Sequence, residues 1–425
     1  MKFLFSSIFT FLFTATYSQS EIQRFVQLNA VPIRSISADS FKVSDYEYIG
    51  NAIGNARIVM LGEQDHGDAP AFLAKTRLIQ YLHEKKGFDV IAFESDFFAA
   101  TAGFESIVKT KTDFLSFYKA NIVPYWTLCD ASNPLFTKII PESFATPHPY
   151  IVAGFDNQMF YKYSTSNLSL FIDSLISDYK LGILANEPLL KSILSRIKIL
   201  SNPMLCSGES RSFYSAAIEE LSALKNEFYS KKGNGNIGSA LLDNLVAFAQ
   251  QLLHKNDFKE MVNTRDIQMA ETLKWLCNVK YPTEKIIVWA ANYHISKNMG
   301  QFKKKSLNGN ISMATEFVKD KALDSITYSI GFTSYDGEAG RIGTKPFAVD
   351  NPASNGLETW IDQSINYAFI DFKKFNALNP LFETEFEMKS GVRGNNVHKS
   401  NAGQWNRIFD GVFFVRHMFP CRIKQ

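Results

Sequence analysis

The chain has 425 residues, of which 46% are hydrophobic and 20% are charged, which is typical of a globular protein with a large core. Its 45 basic and 42 acidic residues give a formal net charge of +3, and no basic stripe stands out along the chain. Composition therefore gives nucleic-acid binding no support, and we expect no nucleic-acid partner.

The first 18 residues have the features of an export signal. Residues 3–15 are apolar, follow a single lysine, and are too few to span a bilayer stably. Thr16 and Ser18 are small residues at the −3 and −1 positions for a cut before Gln19. We therefore predict a signal peptide over 1–18, a mature chain that is periplasmic or secreted, and no stable membrane anchor. An uncleaved anchor is the alternative.

Five continuous apolar runs are predicted to be strands of a parallel sheet, because such strands are covered on both faces. The first two runs are residues 57–67 and 89–96. They flank a predicted helix that begins near Asp68, carries Pro70 in its first turn and ends at Gly87. This is a βαβ unit, which implies a parallel pair of strands. The other three runs are 150–158, 285–296 and 325–332. The predicted fold is α/β, with a mainly parallel sheet flanked by helices.

A helical insertion is predicted at about 164–262, within a single domain that covers 19–425 and ends in a mixed C-terminal region. Residues 233–238 in this insertion match a GxGxxG pattern. A dinucleotide-binding fingerprint must leave a strand and open a helix, whereas this segment joins two predicted helices. The pattern therefore predicts no cofactor.

The four cysteines leave two interpretations open. They are widely spaced and form no CxxC pattern, which disfavours a zinc ribbon or a thioredoxin-like site. In an oxidising compartment they could form up to two disulfides, and buried free thiols are equally compatible with the sequence. The four are Cys129, Cys206, Cys277 and Cys421.

Ionisable side chains follow four of the predicted strands. The carboxyl ends of parallel strands meet at one edge of an open α/β sheet, and ligands bind there. Two histidines beside carboxylates at such an edge provide a base with a near-neutral pKa and groups that orient it, as general acid–base catalysis requires. The residues at this edge are Glu63, Asp65 and His66, then Glu94 and Asp96, then Asp156, then Asn292 and His294. Of these, Asp96 is expected to cap a helix.

Two arginines are predicted to support this edge. Arg77 lies two turns into the helix after the first strand. Arg265 is predicted to open a helix with Thr264 as its N-cap, where a cation opposes the helix dipole. Arg265 is therefore expected to meet a carboxylate of the site or an anionic intermediate, unless Asp266 offsets its charge.

The chain has neither a GxSxG elbow nor an HExxH motif, so a serine nucleophile loses its usual support. We predict that water is the nucleophile and that His66 activates it, without a metal. Two alternatives stay open. Glu63, His66, Glu94 and His294 could bind Zn²⁺ or Mn²⁺ in a metal-dependent hydrolase. The same residues could also form a non-catalytic ligand-binding site.

These segments resemble the erythromycin esterase-like family. The hallmark of that family is a strand running into GE-x-x-HG, then an Arg-bearing helix, then GF-x-x-x-x-E. The chain contains GEQDHG, KTRLIQYL and GFDVIAFES in that order, followed by GFDNQ, RDIQMAETLKWL and VWAANYHIS. The resemblance covers about residues 45–340 and, more weakly, the FDGVFF segment near the end.

The resemblance implies an α/β hydrolase with a helical insertion that acts on an ester or lactone, with macrolide lactones as the substrates of characterised members. It implies no cofactor. Two residues depart from the family pattern. Asp65 stands where the family has a small hydroxyl residue, and Ala291 replaces the first histidine of HN-x-H. We assign substrate binding to Asp65, Asp156 and Asn292. The resemblance implies catalytic roles for His66, Glu63, Glu94, His294, Arg77 and Arg265.

Overall fold

The computed structural model describes residues 21–39, 44–299, 310–392 and 397–423. The predicted signal peptide lies outside these ranges. Within them, no helix is both long enough and apolar enough to cross a membrane.

A nine-stranded sheet forms the centre of the fold. Its strands are β1 Val31–Pro32, β2 Ile58–Leu61, β3 Phe88–Asp96, β4 Ile151–Asp156, β5 Lys285–Trp289, β6 Thr327–Ala339, β7 Phe347–Ala348, β8 Tyr367–Asp371 and β11 Gly411–Met418, while β9 Phe386–Met388 and β10 Asn401–Gly403 form a separate pair. Strands β11, β6, β2, β5, β3 and β4 are neighbours in that order, and all five of these pairings are parallel. Strands β8 and β1 extend the sheet in antiparallel fashion beyond β11, and β7 pairs antiparallel with β6. The predicted fold class is confirmed.

Helices cover both faces of the sheet, which explains why the central strands are continuous apolar runs. In β2, Ile58 and Met60 belong to one buried cluster, and Val59 and Leu61 belong to the other. Successive side chains of a strand point to opposite faces, so both faces need apolar residues. The longer helices are Ser44–Ile53, Ala69–Lys86, Lys111–Asn121, Lys162–Asp178, Glu187–Leu200, Arg211–Lys232, Ile237–Leu253 and Phe258–Trp275. Shorter helical segments include Phe104–Ser106, Pro124–Thr127, Ile140–Ser143, Pro203–Cys206, Asn292–Ile295, Met313–Phe317, Lys321–Ser325, Phe372–Leu378 and Trp405–Ile408.

The chain between β4 and β5 is helical, and its helices contribute to the buried cluster on one face of the sheet. The GxGxxG segment joins the helices Arg211–Lys232 and Ile237–Leu253, as the sequence indicates. The predicted end of the insertion, residue 262, falls inside the helix Phe258–Trp275. The domain limits stay a prediction.

The prediction that Thr264 caps a helix opened by Arg265 was wrong. The helix begins seven residues earlier, at Phe258, because the Asp257 side chain caps it by accepting from the Glu260 backbone N–H. The Thr264 hydroxyl donates to the Glu260 carbonyl oxygen instead. Arg265 therefore lies about two turns into the helix. The argument from the helix dipole, which concerns the first turn, does not apply to it.

The fourth predicted strand, 285–296, is shorter in the structure and ends at Trp289. The following backbone turns away from the sheet, because the Ala291 N–H is bound by the Glu94 carboxylate rather than by a neighbouring strand. His294 consequently lies in the short helix Asn292–Ile295. The fifth predicted strand is longer than expected and runs over Thr327–Ala339.

One disulfide joins Cys129 to Cys421, and Cys206 and Cys277 are buried free thiols. Both interpretations of the cysteines therefore apply, each to one pair. The disulfide ties the C-terminal segment to the region that follows the helix Pro124–Thr127.

Candidate active site

A cavity of about 280 Å³ lies at the carboxyl ends of the central strands. It is lined by five of the predicted site residues, namely His66, Glu94, Asp156, Arg265 and His294. A larger cavity of about 760 Å³ lies beside the amino ends of β3 and β4 and contains none of the predicted residues. The structure therefore brings the predicted histidines and carboxylates together at the edge of the sheet where ligands bind in this class of fold.

His66 is held by Glu63 from the same loop. The His66 Nδ1 atom lies 3.0 Å from Glu63 Oε1, and the glutamate is fully buried. Glu63 is itself held by the Lys75 ammonium group and by the Trp126 indole N–H, whose nitrogen lies 3.3 Å from Oε1. The His66 ring is also stacked on Tyr125, with ring centroids 5.9 Å apart. These contacts fix both the position and the orientation of the imidazole.

Burial lowers the pKa of His66, and the positive charges of Arg341 and His294 lower it further, whereas Glu94 and Asp65 act in the opposite direction. The imidazole is therefore neutral at pH 7. We assign its single proton to Nδ1, because Glu63 accepts there. The Nε2 lone pair is then free to accept a proton, as a general base requires.

His294 lies on the other side of the cavity and has the opposite charge state. Its Nδ1 lies 2.7 Å from Asp266 Oδ1, and its Nε2 lies 3.1 Å from Glu94 Oε1. Burial alone would lower the pKa of His294, but these two carboxylates raise it to about 10. His294 is therefore an imidazolium at pH 7. Two histidines with separated pKa values in one site can take different roles.

Arg265 joins the two predicted carboxylates. Its Nη2 atom lies 2.8 Å from Glu94 Oε1. The guanidinium also donates to both oxygens of Asp156, with Nε 3.1 Å from Oδ1 and Nη2 2.7 Å from Oδ2. Burial alone would raise the pKa of Glu94, but the charges of His294 and Arg265 hold it well below its usual value. Glu94 therefore remains ionised, and together with Asp156 it holds Arg265 in place.

The two glutamates serve different histidines. Of the two predicted catalytic glutamates, only Glu63 is hydrogen-bonded to His66. Glu94 is hydrogen-bonded to Arg265, to the Ala291 N–H and to His294.

Asp65, a predicted substrate-binding residue, binds another side chain. Its Oδ1 atom lies 2.7 Å from Nε and 2.6 Å from Nη2 of Arg341, and it also accepts the His66 backbone N–H. Arg341 lines the cavity and lies over the Tyr125 ring, 5.6 Å from its centroid. Asp65 therefore contributes to the cavity through Arg341.

The structure contradicts the predicted placement of Arg77. This arginine does not line the cavity. Its guanidinium donates to the Ser35 carbonyl oxygen, lies 3.9 Å from Asp45 and stacks over Tyr46. Arg77 lies in the predicted helix, but its side chain points away from the cavity. It contacts the N-terminal segment that packs on this helix.

Asn292, a predicted substrate-binding residue, lies away from the cavity. Its side chain is fully buried, donates to the carbonyl oxygens of Phe332 and Ser390, and accepts the Phe332 N–H. Both N–H donors of this amide are therefore used within the protein, and Asn292 does not line the cavity. It ties the turn after β5 to β6.

Sequence reasoning missed several residues of the site. Lys75 lies four residues after Ala71 and three before Leu78, so helical spacing places it on the inner face, where a lysine needs an anionic partner. Asp266 entered the sequence argument only as a neighbour that offsets the charge of Arg265. Nothing in the sequence placed Tyr125, Trp126, Tyr161 and Arg341, which also line the cavity, at this edge.

Comparison with known proteins shows what this chain is similar to. The family described as Erythromycin esterase matches residues 214–418, a segment that contains Arg265, His294 and Arg341. Over that segment the chain is similar to the erythromycin esterase family. The family resemblance of the motifs is thereby confirmed. Among related sequences, "Putative hydrolase YbfO" of Bacillus subtilis (strain 168) is 25% identical over 438 residues, which cover 94% of this chain and 91% of the relative.

Solved structures share the fold of this chain. A Bacillus cereus protein has a TM-score of 0.72 at 19% identity, covering 96% of this chain and 99% of its own. A succinoglycan biosynthesis protein gives 0.70 at 20% identity, with the same coverage of both chains. A mutant of the erythromycin esterase EreC in its open conformation gives 0.69 at 15% identity, covering 91% and 97%.

Proposed function

We propose that this erythromycin esterase-like protein hydrolyses an ester or lactone bond of a small molecule, using a water molecule that His66 activates. The observation that carries this proposal is the hydrogen bond from His66 Nδ1 to the buried Glu63, together with a lowered His66 pKa. A neutral imidazole with its free nitrogen in a cavity is a base that works at neutral pH.

Arg265, on the opposite side of the cavity from His66, can stabilise the negative charge that develops on the substrate's carbonyl oxygen. Arg265 uses Nε and Nη2 to bind carboxylates, while its Nη1 lies 3.4 Å from His294 Nε2. A protonated His294 cannot accept from that nitrogen, so the Nη1 hydrogens remain available for a substrate oxygen. A positioned donor of this kind contributes about 10²–10³ to kcat in acyl transfer.

The reaction then follows from these positions. Water held by Nε2 of His66 attacks the carbonyl carbon of the ester and passes one proton to the imidazole. The negative charge on the carbonyl oxygen faces Arg265. When the tetrahedral intermediate collapses, the alcohol leaves with the proton from His66, and the carboxylic acid remains. The imidazole is neutral again, so no other group has to be regenerated.

The metal-dependent alternative fits this site poorly. Its four proposed ligands already bind each other or a cation: Glu63 binds Lys75, Glu94 binds Arg265, and His294 is protonated between two carboxylates. Among the described residues, no group of three or more His, Cys, Asp or Glu side chains could hold a metal ion. We therefore favour the base mechanism over a metal-bound water.

We also propose that the protein is exported. The features of residues 1–18 support a cleaved signal peptide, and the disulfide Cys129–Cys421 fits an oxidising compartment. Mass spectrometry of the protein recovered from its native host should give Gln19 as the first residue. Recovery of the intact N-terminus from the cytoplasm would contradict export.

The proposed activity is tested by a screen of activated esters, simple lactones and a macrolide. The wild type should hydrolyse some of these, and His66→Asn should reduce kcat by about 10²–10⁴-fold with an unchanged melting temperature. Asparagine keeps a polar side chain next to Glu63, so the fold should persist. Binding of panel compounds without any turnover would favour the non-catalytic alternative.

A further inference from the structure

Arg341 closes one side of the candidate active site. It forms two contacts with the Asp65 carboxylate, at 2.6 and 2.7 Å, and its guanidinium lies over the Tyr125 ring. Tyr125 is in turn stacked on His66, with an angle of only 8° between the rings. Asp65 directly precedes His66 in the chain. The four residues therefore form a closed ring of contacts that includes the catalytic base, His66.

The position of Arg341 is fixed by its backbone as well as by its side chain. A Cβ atom at Gly67 would clash with the Gly340 carbonyl oxygen and with Cα of Arg341. The loop after β6 therefore packs directly on the loop that carries His66, at a contact that requires glycine. This contact brings the partly exposed Arg341 side chain to the cavity.

The cavity bounded by this arginine is small. Its volume of about 280 Å³ lies below the range of roughly 300–1,000 Å³ that is usual for drug-sized ligands. It corresponds to roughly nine water molecules at about 30 Å³ each. Tyr125, Trp126, Phe160 and Tyr161 line the same space with rigid aromatic rings. A large ring ester with its substituents cannot be enclosed here.

We propose that Arg341, held by Asp65 across Tyr125, determines substrate size, so that the site takes esters with small acyl groups and excludes bulky lactones. This inference rests on the proposed hydrolase function. To admit a bulky group, the chain would have to break the pair and leave Asp65, which is 8% exposed, without its cation. That loss is costly for a nearly buried carboxylate, so the pair resists opening.

The test compares esters that differ only in acyl length. p-Nitrophenyl acetate and p-nitrophenyl decanoate are assayed with the wild type, Arg341→Ala and Asp65→Ser. The readout is the ratio of kcat/KM for decanoate to kcat/KM for acetate. Because both esters use the same base, any effect of the substitutions on His66 cancels in this ratio. Lys345→Ala is the matched control, since Lys345 is an exposed cation of the same loop that does not line the cavity.

Arg341→Ala and Asp65→Ser should each raise the ratio at least about 10-fold, which is the smallest effect usual for one misfitting methylene. Arg341→Lys, which keeps the charge but not the fork of donors, should give an intermediate ratio. Lys345→Ala should leave the ratio unchanged. Hydrolysis of erythromycin should appear only in the Arg341→Ala and Asp65→Ser proteins.

Equal ratios in the wild type and Arg341→Ala would overturn the inference while leaving the hydrolase function in place. Efficient decanoate or erythromycin hydrolysis by the wild type would also overturn it. Failure of every protein to hydrolyse any ester would instead refute the proposed function on which the inference rests. Arg341→Ala leaves Asp65 without its cation and should lower the melting temperature, so each variant is assayed below its own melting temperature.

Discussion

Replacement of Asp266 by asparagine should weaken the charge of His294. Asp266 is fully buried, and its Oδ1 accepts both His294 Nδ1–H and the Met313 backbone N–H. Asparagine keeps an acceptor oxygen for these bonds but removes the negative charge. One neighbouring opposite charge shifts a pKa by about 1–3 units, so the His294 pKa should fall from about 10 to about 8.

The pKa of His294 is raised on folding, so its contribution to stability is complete below the unfolded value of 6.5 and is lost as the pH rises to about 10. Across that window the free energy of unfolding falls by about 1.4 kcal/mol per pH unit, or about 5 kcal/mol in all. In Asp266→Asn the window ends near pH 8, and the contribution is about 2 kcal/mol. The two proteins should therefore differ by about 3 kcal/mol at pH 6–8 and by almost nothing from this source at pH 10.

Urea unfolding of both proteins at several pH values from 6 to 10 measures this difference. Asp178→Asn is the control, because Asp178 is an exposed aspartate at the end of its helix and lies far in sequence from the site. Nitrogen-15 NMR of His294 reports the pKa directly. A stability difference that is constant from pH 6 to 10, or a wild-type His294 that titrates near 6.5, would refute the reasoning.

Three further substitutions test other parts of the structure. Lys75→Met leaves the buried Glu63 without its cation, so the free energy of unfolding, measured by urea titration, should fall by about 3–5 kcal/mol. A loss below about 1 kcal/mol would contradict the buried pair. Combined serine substitutions at Cys129 and Cys421 should lower stability by about 2–4 kcal/mol, and reductant should then destabilise the wild type but not the variant. Equal melting temperatures of the two proteins would argue against the disulfide. Arg77→Ala should lower the melting temperature but change kcat/KM by less than about 3-fold, because Arg77 lies outside the cavity. A large loss of kcat with normal stability would restore the catalytic role that the sequence suggested.

The strands that carry the site could be predicted because local sequence determines their pattern. A parallel strand buried on both faces reads as a continuous apolar run, and its carboxyl end is the next polar position. That reasoning was enough to collect His66, Glu94, Asp156 and His294, which the structure brings to one cavity. It failed at 285–296, where the strand ends at Trp289 and the Ala291 backbone N–H donates to a side chain, Glu94, instead of a neighbouring strand.

The pairing within the site could not be predicted, because it depends on contacts between distant segments. Arg341 reaches Asp65 only because the loop after β6 packs on Gly67, 273 positions earlier in the chain than Gly340. Arg77 shows the converse. Its spacing suited the site, but a neighbouring segment supplied Ser35 and other partners on the far side of the helix. Side-chain direction on a helix is set by such packing as well as by spacing.

The central claim is that neutral His66 removes a proton from water, and the pH dependence of kcat/KM tests it most directly. For an ester that the wild type hydrolyses, kcat/KM should fall on the acid side with an apparent pKa below 6.5, because burial lowers the pKa of His66. His66→Asn should lose that acid limb together with most of the rate. An acid limb that persists unchanged in His66→Asn would contradict the account, since another group would then be the base.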